Sequence, residues 1–218
     1  MIKTILSFIL IVLISYFIGN ISFARLLTRK KETKITELGS GNPGTMNMAR
    51  NFGWKLGLLT LILDMLKAIV PCLIAFFVSK YYLQDLPNNL YIYTAGLSVI
   101  LGHMFPVCYK FKGGKGIACA LGVFAVAYPT CWFLPIFLLL GLVILLISKI
   151  GSLTSLTLVT GLSIISIIYF THFVEIILIV IIYILLVFSH KKNIVRLIHG
   201  KENKVDLFKK KGKENVGN

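Results

Sequence analysis

Between positions 39 and 50 the chain reads Gly39-Ser40-Gly41-Asn42-Pro43-Gly44-Thr45-Met46-Asn47-Met48-Ala49-Arg50. Glycines let backbone N–H groups come close to an anion, and an arginine clamps one with paired hydrogen bonds. The stretch is polar and is flanked by apolar spans. A phosphate-handling loop held against a bilayer points to lipid chemistry. Three more polar clusters follow. The first is Gly102-His103-Met104-Phe105-Pro106-Val107 with Phe111-Lys112-Gly113-Gly114-Lys115-Gly116. The second is Lys149-Ile150-Gly151-Ser152, and the third is His190-Lys191-Lys192-Asn193 with Arg196 and Gly200-Lys201-Glu202-Asn203-Lys204.

Two pattern matches within these clusters are set aside. Residues 39–44 fit G-x-G-x-x-G, but no strand precedes them and no βαβ unit fits between membrane spans, so a dinucleotide site is not expected. Residues 112–116 miss the spacing of an ATP-binding loop and also lack a strand.

The elements that must position these clusters are membrane helices. The chain has 218 residues, 57% of them hydrophobic and only 14% charged, with a mean hydropathy of +0.87. Soluble domains run nearer a quarter charged. An all-α integral membrane protein of a single domain is expected, a bundle of about seven transmembrane helices with polar loops. The spans are Ile5–Leu27, Trp54–Val78, Leu90–Tyr109, Gly116–Tyr128, Cys131–Ile147, Leu153–Phe170 and Val174–Ser189, followed by a tail over 190–218. The fourth is short for a crossing, which takes about 20 residues. The first resembles a signal peptide, but no small-residue cleavage site follows it, and it reads as a retained helix. The cysteines Cys72, Cys108, Cys119 and Cys131 show no metal or disulfide spacing and read as small core hydrophobes.

With the N-terminus outside, 20 of the 23 basic residues fall on the cytoplasmic side. This is a strong positive-inside pattern. It accounts for the net charge of +15 through topology and anionic headgroups, so nucleic acid is not an expected partner. The same orientation gathers all four clusters on the cytoplasmic face. Spans two, four and six begin there, each with free N–H groups and a positive dipole end suited to phosphate.

Each feature has a plainer reading. A glycine loop is often a tight turn, and a lysine at a membrane face is often a topology anchor. Asp64 and Lys67, at i and i+3 within span two, read as a structural intramembrane pair. His103 reads as a bundle hydrogen-bonding group. Co-occurrence of four phosphate-compatible clusters on one face is what favours a site.

The succession GSGNPG…N…R, GH..P…FKGGKG and H..N…..G.EN resembles the bacterial acyl-phosphate:glycerol-3-phosphate acyltransferases, the PlsY family. The likeness runs in order over nearly the whole chain. It implies a seven-helix enzyme that moves an acyl chain from acyl phosphate to the 1-hydroxyl of glycerol-3-phosphate, giving lysophosphatidic acid and phosphate. That is a first step of phospholipid synthesis, placed in the bacterial cell membrane, with active site and C-terminus cytoplasmic. Its partners would be glycerol-3-phosphate, a long-chain acyl phosphate and the bilayer, with no cofactor and no metal.

By matching position, the resemblance gives phosphate or substrate binding to Ser40, Gly41, Asn42, Gly44 and Arg50, and to Lys112, Gly113, Gly114, Lys115, Gly116 and Ser152. His190 and Asn193 match an essential catalytic pair, and Glu202 a structural glutamate. Where the family has GATNV, this chain has Gly44-Thr45-Met46-Asn47-Met48, losing a hydroxyl at 46 and gaining one at 45. The H-x-x-x-x-D motif of other glycerolipid acyltransferases is absent: position five after each histidine is Cys108, Ile177, Val195 or Lys204. Acyl phosphate is already activated, so holding two anions together and excluding water is the main task. Either His190 or the leaving phosphate itself would take the hydroxyl proton. The competing class is an anion transporter, which a midplane site and an internal repeat would favour.

Overall fold

The computed structural model describes residues 2–83, 86–128, 133–169 and 172–205. Cys131 and Phe170, expected ends of two spans, and the tail from 206 on, including the Lys209–Lys213 run, lie outside the described residues.

Every regular element among the described residues is helical. In lipid no water satisfies backbone N–H and C=O groups, and the helix pairs them within its own segment. Seven apolar helices correspond to the expected spans: α1 (Ile2–Gly19) with its continuation α2 (Phe23–Thr28), α4 (Trp54–Tyr82), α5 (Asn88–Met104), α6 (Ile117–Ala127), α7 (Phe133–Ser148), α8 (Gly151–Tyr169) and α9 (Phe173–Ser189). Two short polar helices are additional, α3 (Thr45–Phe52) and α10 (Lys191–Ile198). Among the described residues, four segments are long and apolar enough to cross a membrane: Ile2–Thr28, Trp54–Tyr82, Asn88–Tyr109 and Gly151–Tyr169. A fifth is α9 with α10, bent by 59° at His190. The chain is a multi-pass membrane protein.

α6 resolves the question of the short fourth span. Its 11 residues cover only about 16 Å, half of a hydrocarbon core. Most of its side chains are buried, packed between α4, α5 and α8, so neighbouring protein shelters it from lipid.

Span one is broken where a continuous helix was expected. The chain leaves helical form at Asn20–Ser22, freeing carbonyls at membrane depth. Lys67 of α4 answers them, donating to Gly19 O at 3.2 Å and Ile21 O at 2.6 Å. Asn20 helps from the other side: its Nδ2 donates to Tyr16 O at 2.7 Å, and its Oδ1 accepts from Cys108 N at 3.3 Å. Next to the break, α1 crosses α5 at Gly19 and Gly102. A Cβ on Gly102 would stand 2.1 Å from Tyr16 O, so only glycine permits this approach.

The core runs through the middle of the bundle, with Ala68, Tyr91, Ile100, Phe124, Leu162 and Ile179 fully buried. Cys72 and Cys119 are part of it, whereas Cys108 departs from the expected core role and is exposed.

Candidate active site

A cavity of about 240 Å³ opens where the polar clusters meet. Ser40, Asn42, Gly44, Arg50, Lys115, Gly116, Ser152, His190, Asn193 and Glu202 all line it, together with Asp64. A second cavity of about 300 Å³ adjoins it, sharing Ser40, Asn42, Lys115 and Asn193 as a common wall. Gly41, Gly113 and Gly114 border only the second. Lys112 borders neither; its side chain is exposed and its carbonyl accepts from Arg25 Nη2 at 2.5 Å.

Three helix N-termini border the first cavity, those of α3, α6 and α8. Here the expectation for span two is revised. The N-terminus at the cavity belongs to the separate helix α3, capped by Gly44, and α4 starts only after Gly53. First-turn N–H groups have no intrahelical acceptor and carry the positive end of the dipole. The loop before α3 is held by Asn47, whose Nδ2 donates to Ile35 O at 3.2 Å and Leu38 O at 3.0 Å. Its Oδ1 accepts from Ser40 N at 3.2 Å. Met46 lies on Gly151 at the start of α8: a Cβ there would meet Met46 Cγ at 2.6 Å. Met46 thus joins two of the three N-termini by packing.

The Gly113-Gly114 pair has its own requirement. The amides donate back to the end of α5, Gly113 N to Met104 O at 3.1 Å and Gly114 N to His103 O at 3.0 Å. Cβ atoms would fall 2.0 Å from His103 O and 2.1 Å from His103 Nε2. These glycines close a tight return that aims Lys115 at the cavity. Gly116 follows with φ of +84° as the N-cap of α6.

Lys115 Nζ donates to Asn193 Oδ1. Asn193 Nδ2 in turn donates to Glu202 Oε1 at 3.0 Å, and Arg196 Nε pairs with Glu202 Oε2 at 3.0 Å. Burial lowers the Lys115 ammonium to about 8; Glu202 opposes the shift, and Arg196 and Arg50 add to it. Burial likewise lowers the Arg50 guanidinium. Arg50 grips the tail, from Nε to Lys204 O at 3.2 Å and from Nη2 to Asn203 O at 3.3 Å. Val205 N donates to Lys149 O at 2.7 Å, fixing the tail beside the α7–α8 turn.

His190 sits at the bend between α9 and α10, 2% exposed. Its Nδ1 lies 2.8 Å from Leu186 O and 3.1 Å from Ser189 Oγ. A carbonyl only accepts, so the proton belongs on Nδ1 and Nε2 keeps its lone pair. Burial, then the Lys115 charge, lowers this imidazole to about 4, so it is neutral at physiological pH. Ser152 Oγ is buried with no hydrogen-bond partner, an orphan hydroxyl on the cavity wall.

The Asp64 group forms another part of the same cavity wall. Lys67 Nζ is 2.9 Å from Asp64 Oδ1 and 2.8 Å from His103 Nδ1. Sequence reasoning did not name Thr45, Asn47, His103 and Asn203 as wall residues. Asn47 carried a signal, being the lone asparagine between the glycine loop and Arg50. Asn203 carried only its neighbour Glu202.

A helical membrane protein whose buried cations, helix N-termini and neutral histidine converge on one cavity belongs among membrane-embedded proteins that handle anionic substrates. The comparisons narrow that class. A family model described as glycerol-3-phosphate acyltransferase matches residues 9–200. Glycerol-3-phosphate acyltransferase of Bartonella henselae is 38% identical, with 90% of each chain aligned. That of Aquifex aeolicus is 32% identical over 89% of this chain and 97% of its own. The crystal structure of PlsY (YgiH), an integral membrane glycerol 3-phosphate acyltransferase in its glycerol 3-phosphate form, superposes with a TM-score of 0.81 at 31% identity, over 93% of this chain and all of that one. Its lysophosphatidic acid form gives 0.78. The chain belongs to the glycerol-3-phosphate acyltransferase family.

Proposed function

We propose that this protein transfers an acyl chain from acyl phosphate to the 1-hydroxyl of glycerol-3-phosphate, releasing lysophosphatidic acid and phosphate. The observation that carries the reading is the two-natured cavity. One end joins Arg50, Lys115, Ser152 and His190, and the other is lined by leucines of α4, α6, α7 and α8. A polar anion and an acyl chain need those two environments side by side. Relatives named for glycerol-3-phosphate supply the acceptor.

In this reading the helix N-termini, Arg50, Lys115 and the Ser152 hydroxyl hold the phosphates. His190 Nε2 accepts a hydrogen bond from the attacking hydroxyl and points its oxygen at the acyl carbon. Asn193 keeps Lys115 and Glu202 in register. The hydroxyl oxygen bonds to the carbonyl carbon as the bond from that carbon to the phosphate oxygen breaks. The hydroxyl proton goes either to His190 Nε2 or to an oxygen of the leaving phosphate, the two acceptors this arrangement offers. Positioning of this kind lowers barriers by about 7–11 kcal/mol. Asp64, Lys67 and Glu202 act structurally. The basic residues put the N-terminus outside and the site and C-terminus in the cytoplasm.

The test is phosphate release by purified protein given glycerol-3-phosphate and palmitoyl phosphate, beside palmitoyl-CoA as the other donor. Release with the first alone is expected. Transfer only from the thioester, or glycerol-3-phosphate flux across liposomes without release, would overturn the reading.

A further inference from the structure

The lining of the first cavity's apolar arm reaches Leu158 on α8 and Leu138 on α7 and goes no further along either helix. It runs from the polar residues between α4, α6, α7 and α8, past Leu61, Leu121, Leu138, Leu142 and Leu145 to Leu158. Leu158 is six residues beyond Ser152, or about 9 Å along α8. At the next layer each wall of the groove closes on itself. Between α4 and α6, Gly122 packs so closely that a Cβ would stand 2.5 Å from Met65 O and 3.2 Å from Ala68 Cβ. Between α7 and α8, the Phe137 ring lies on Gly161, where a Cβ would stand 2.1 Å from Cε1.

The two closures differ in kind. The first is made largely by backbone and cannot be retuned by one side chain. The second is a single ring fitted over a glycine. Phe137 is one helical turn from Gly141, whose own missing Cβ lets Leu158 lie against α7 (2.8 Å to Cδ1). Successive α7–α8 layers are therefore Gly141 on Leu158, which belongs to the cavity wall, and Phe137 on Gly161, which does not.

We propose that Phe137, seated on Gly161, is the floor of the acyl groove and sets the acyl-chain length that the enzyme prefers. The identity of the occupant rests on the acyl-transfer reading; the position of the floor does not. A chain that reaches the floor gains apolar contact with each added methylene, about fourfold in affinity. A chain too long for it must bend out toward lipid and gains less.

Phe137→Ala and Phe137→Trp test this in nanodiscs. Binding of octyl, dodecyl and hexadecyl phosphate, which cannot transfer an acyl group, is measured beside kcat/KM for the corresponding acyl phosphates. The alanine variant is expected to raise the long-to-short preference by roughly tenfold, the gain of one to two methylenes, and the tryptophan variant to lower it. KM for glycerol-3-phosphate should not move, which a general loss of packing would not spare. Phe137→Leu gives the same direction as alanine, more weakly, if the alanine variant does not fold. Chain-length profiles that superimpose on wild type, or that shift the same way in both variants, would overturn the floor. A wild type inactive with every acyl phosphate, but with alkyl-phosphate binding that shifts as expected, would instead overturn the donor and leave the floor standing.

Discussion

The Asp64–Lys67–His103 group inside the bundle and the Lys115–Asn193–Glu202 group at the cavity mouth are both buried polar networks, but their accounts of donors and acceptors differ. Lys67 has three protons and four acceptors within reach: Asp64, His103 and the carbonyls of Gly19 and Ile21. Its ammonium has nothing left to offer a ligand, although Asp64 Oδ1 makes no hydrogen bond beyond this ion pair and borders the cavity with His103. At the mouth, Lys115, Arg50 and Arg196 face the single carboxylate of Glu202, Ser152 Oγ has no partner, and His190 Nε2 keeps a free lone pair. A network whose cation is spent on its own neighbours holds a fold together. One left with surplus positive charge and unmatched polar atoms is prepared for an anion.

Breaking the inner network should therefore damage stability, and breaking the outer one should damage turnover. Lys67→Met strands the Asp64 carboxylate and two carbonyls in the bundle. Loss of about 3–5 kcal/mol is expected, read as a fall in the thermal midpoint in detergent and in folded yield. A variant that unfolds like wild type would show that the inner network does not hold the α1–α2 break. His190→Ala should leave the unfolding midpoint close to wild type while kcat falls about 100-fold or more. Near-normal turnover there would move the hydroxyl-orienting role elsewhere.

Ser152→Ala removes a buried hydroxyl that has no hydrogen-bond partner within the protein. Stability should hold, while KM for a phosphate-bearing substrate rises roughly tenfold. The smallest effect concerns pH. Lys115 titrates near 8, is cationic below that and loses its grip on phosphate above it. For wild type kcat/KM should fall as pH rises through about 8, and Lys115→Arg should push that fall to higher pH, since arginine stays charged. On the acid side His190 stays neutral down to about 4, so it adds no limb between those values. Coincident profiles for the two proteins would mean that Lys115 does not carry the phosphate.

Much of this contrast was legible beforehand because lipid imposes continuous apolar runs. The seven apolar helices could be marked, and Asp64 with Lys67 stood out as charges inside one. What escaped depended on distant partners. The break at Asn20–Ser22 is stabilised by a lysine some 46 residues away, which no local pattern announces. Gly113 and Gly114 looked like an anion cradle, yet their amides cap α5, a use that depends on where the chain turns back. α3 and α10 are eight residues each, too short for periodicity to separate them from polar loop. Met46 looked like a lost phosphate contact; its packing on Gly151 needs α8 placed beside α3.

The most direct test follows both products of one reaction. Purified wild type and His190→Ala are given palmitoyl phosphate and labelled glycerol-3-phosphate, and labelled lysophosphatidic acid and free phosphate are counted together. One phosphate per lysophosphatidic acid is expected from wild type, with both falling in parallel in the variant. Phosphate released without acylated product, or product formed at the wild-type rate without His190, would contradict an acyl-transfer site at the polar end of this cavity.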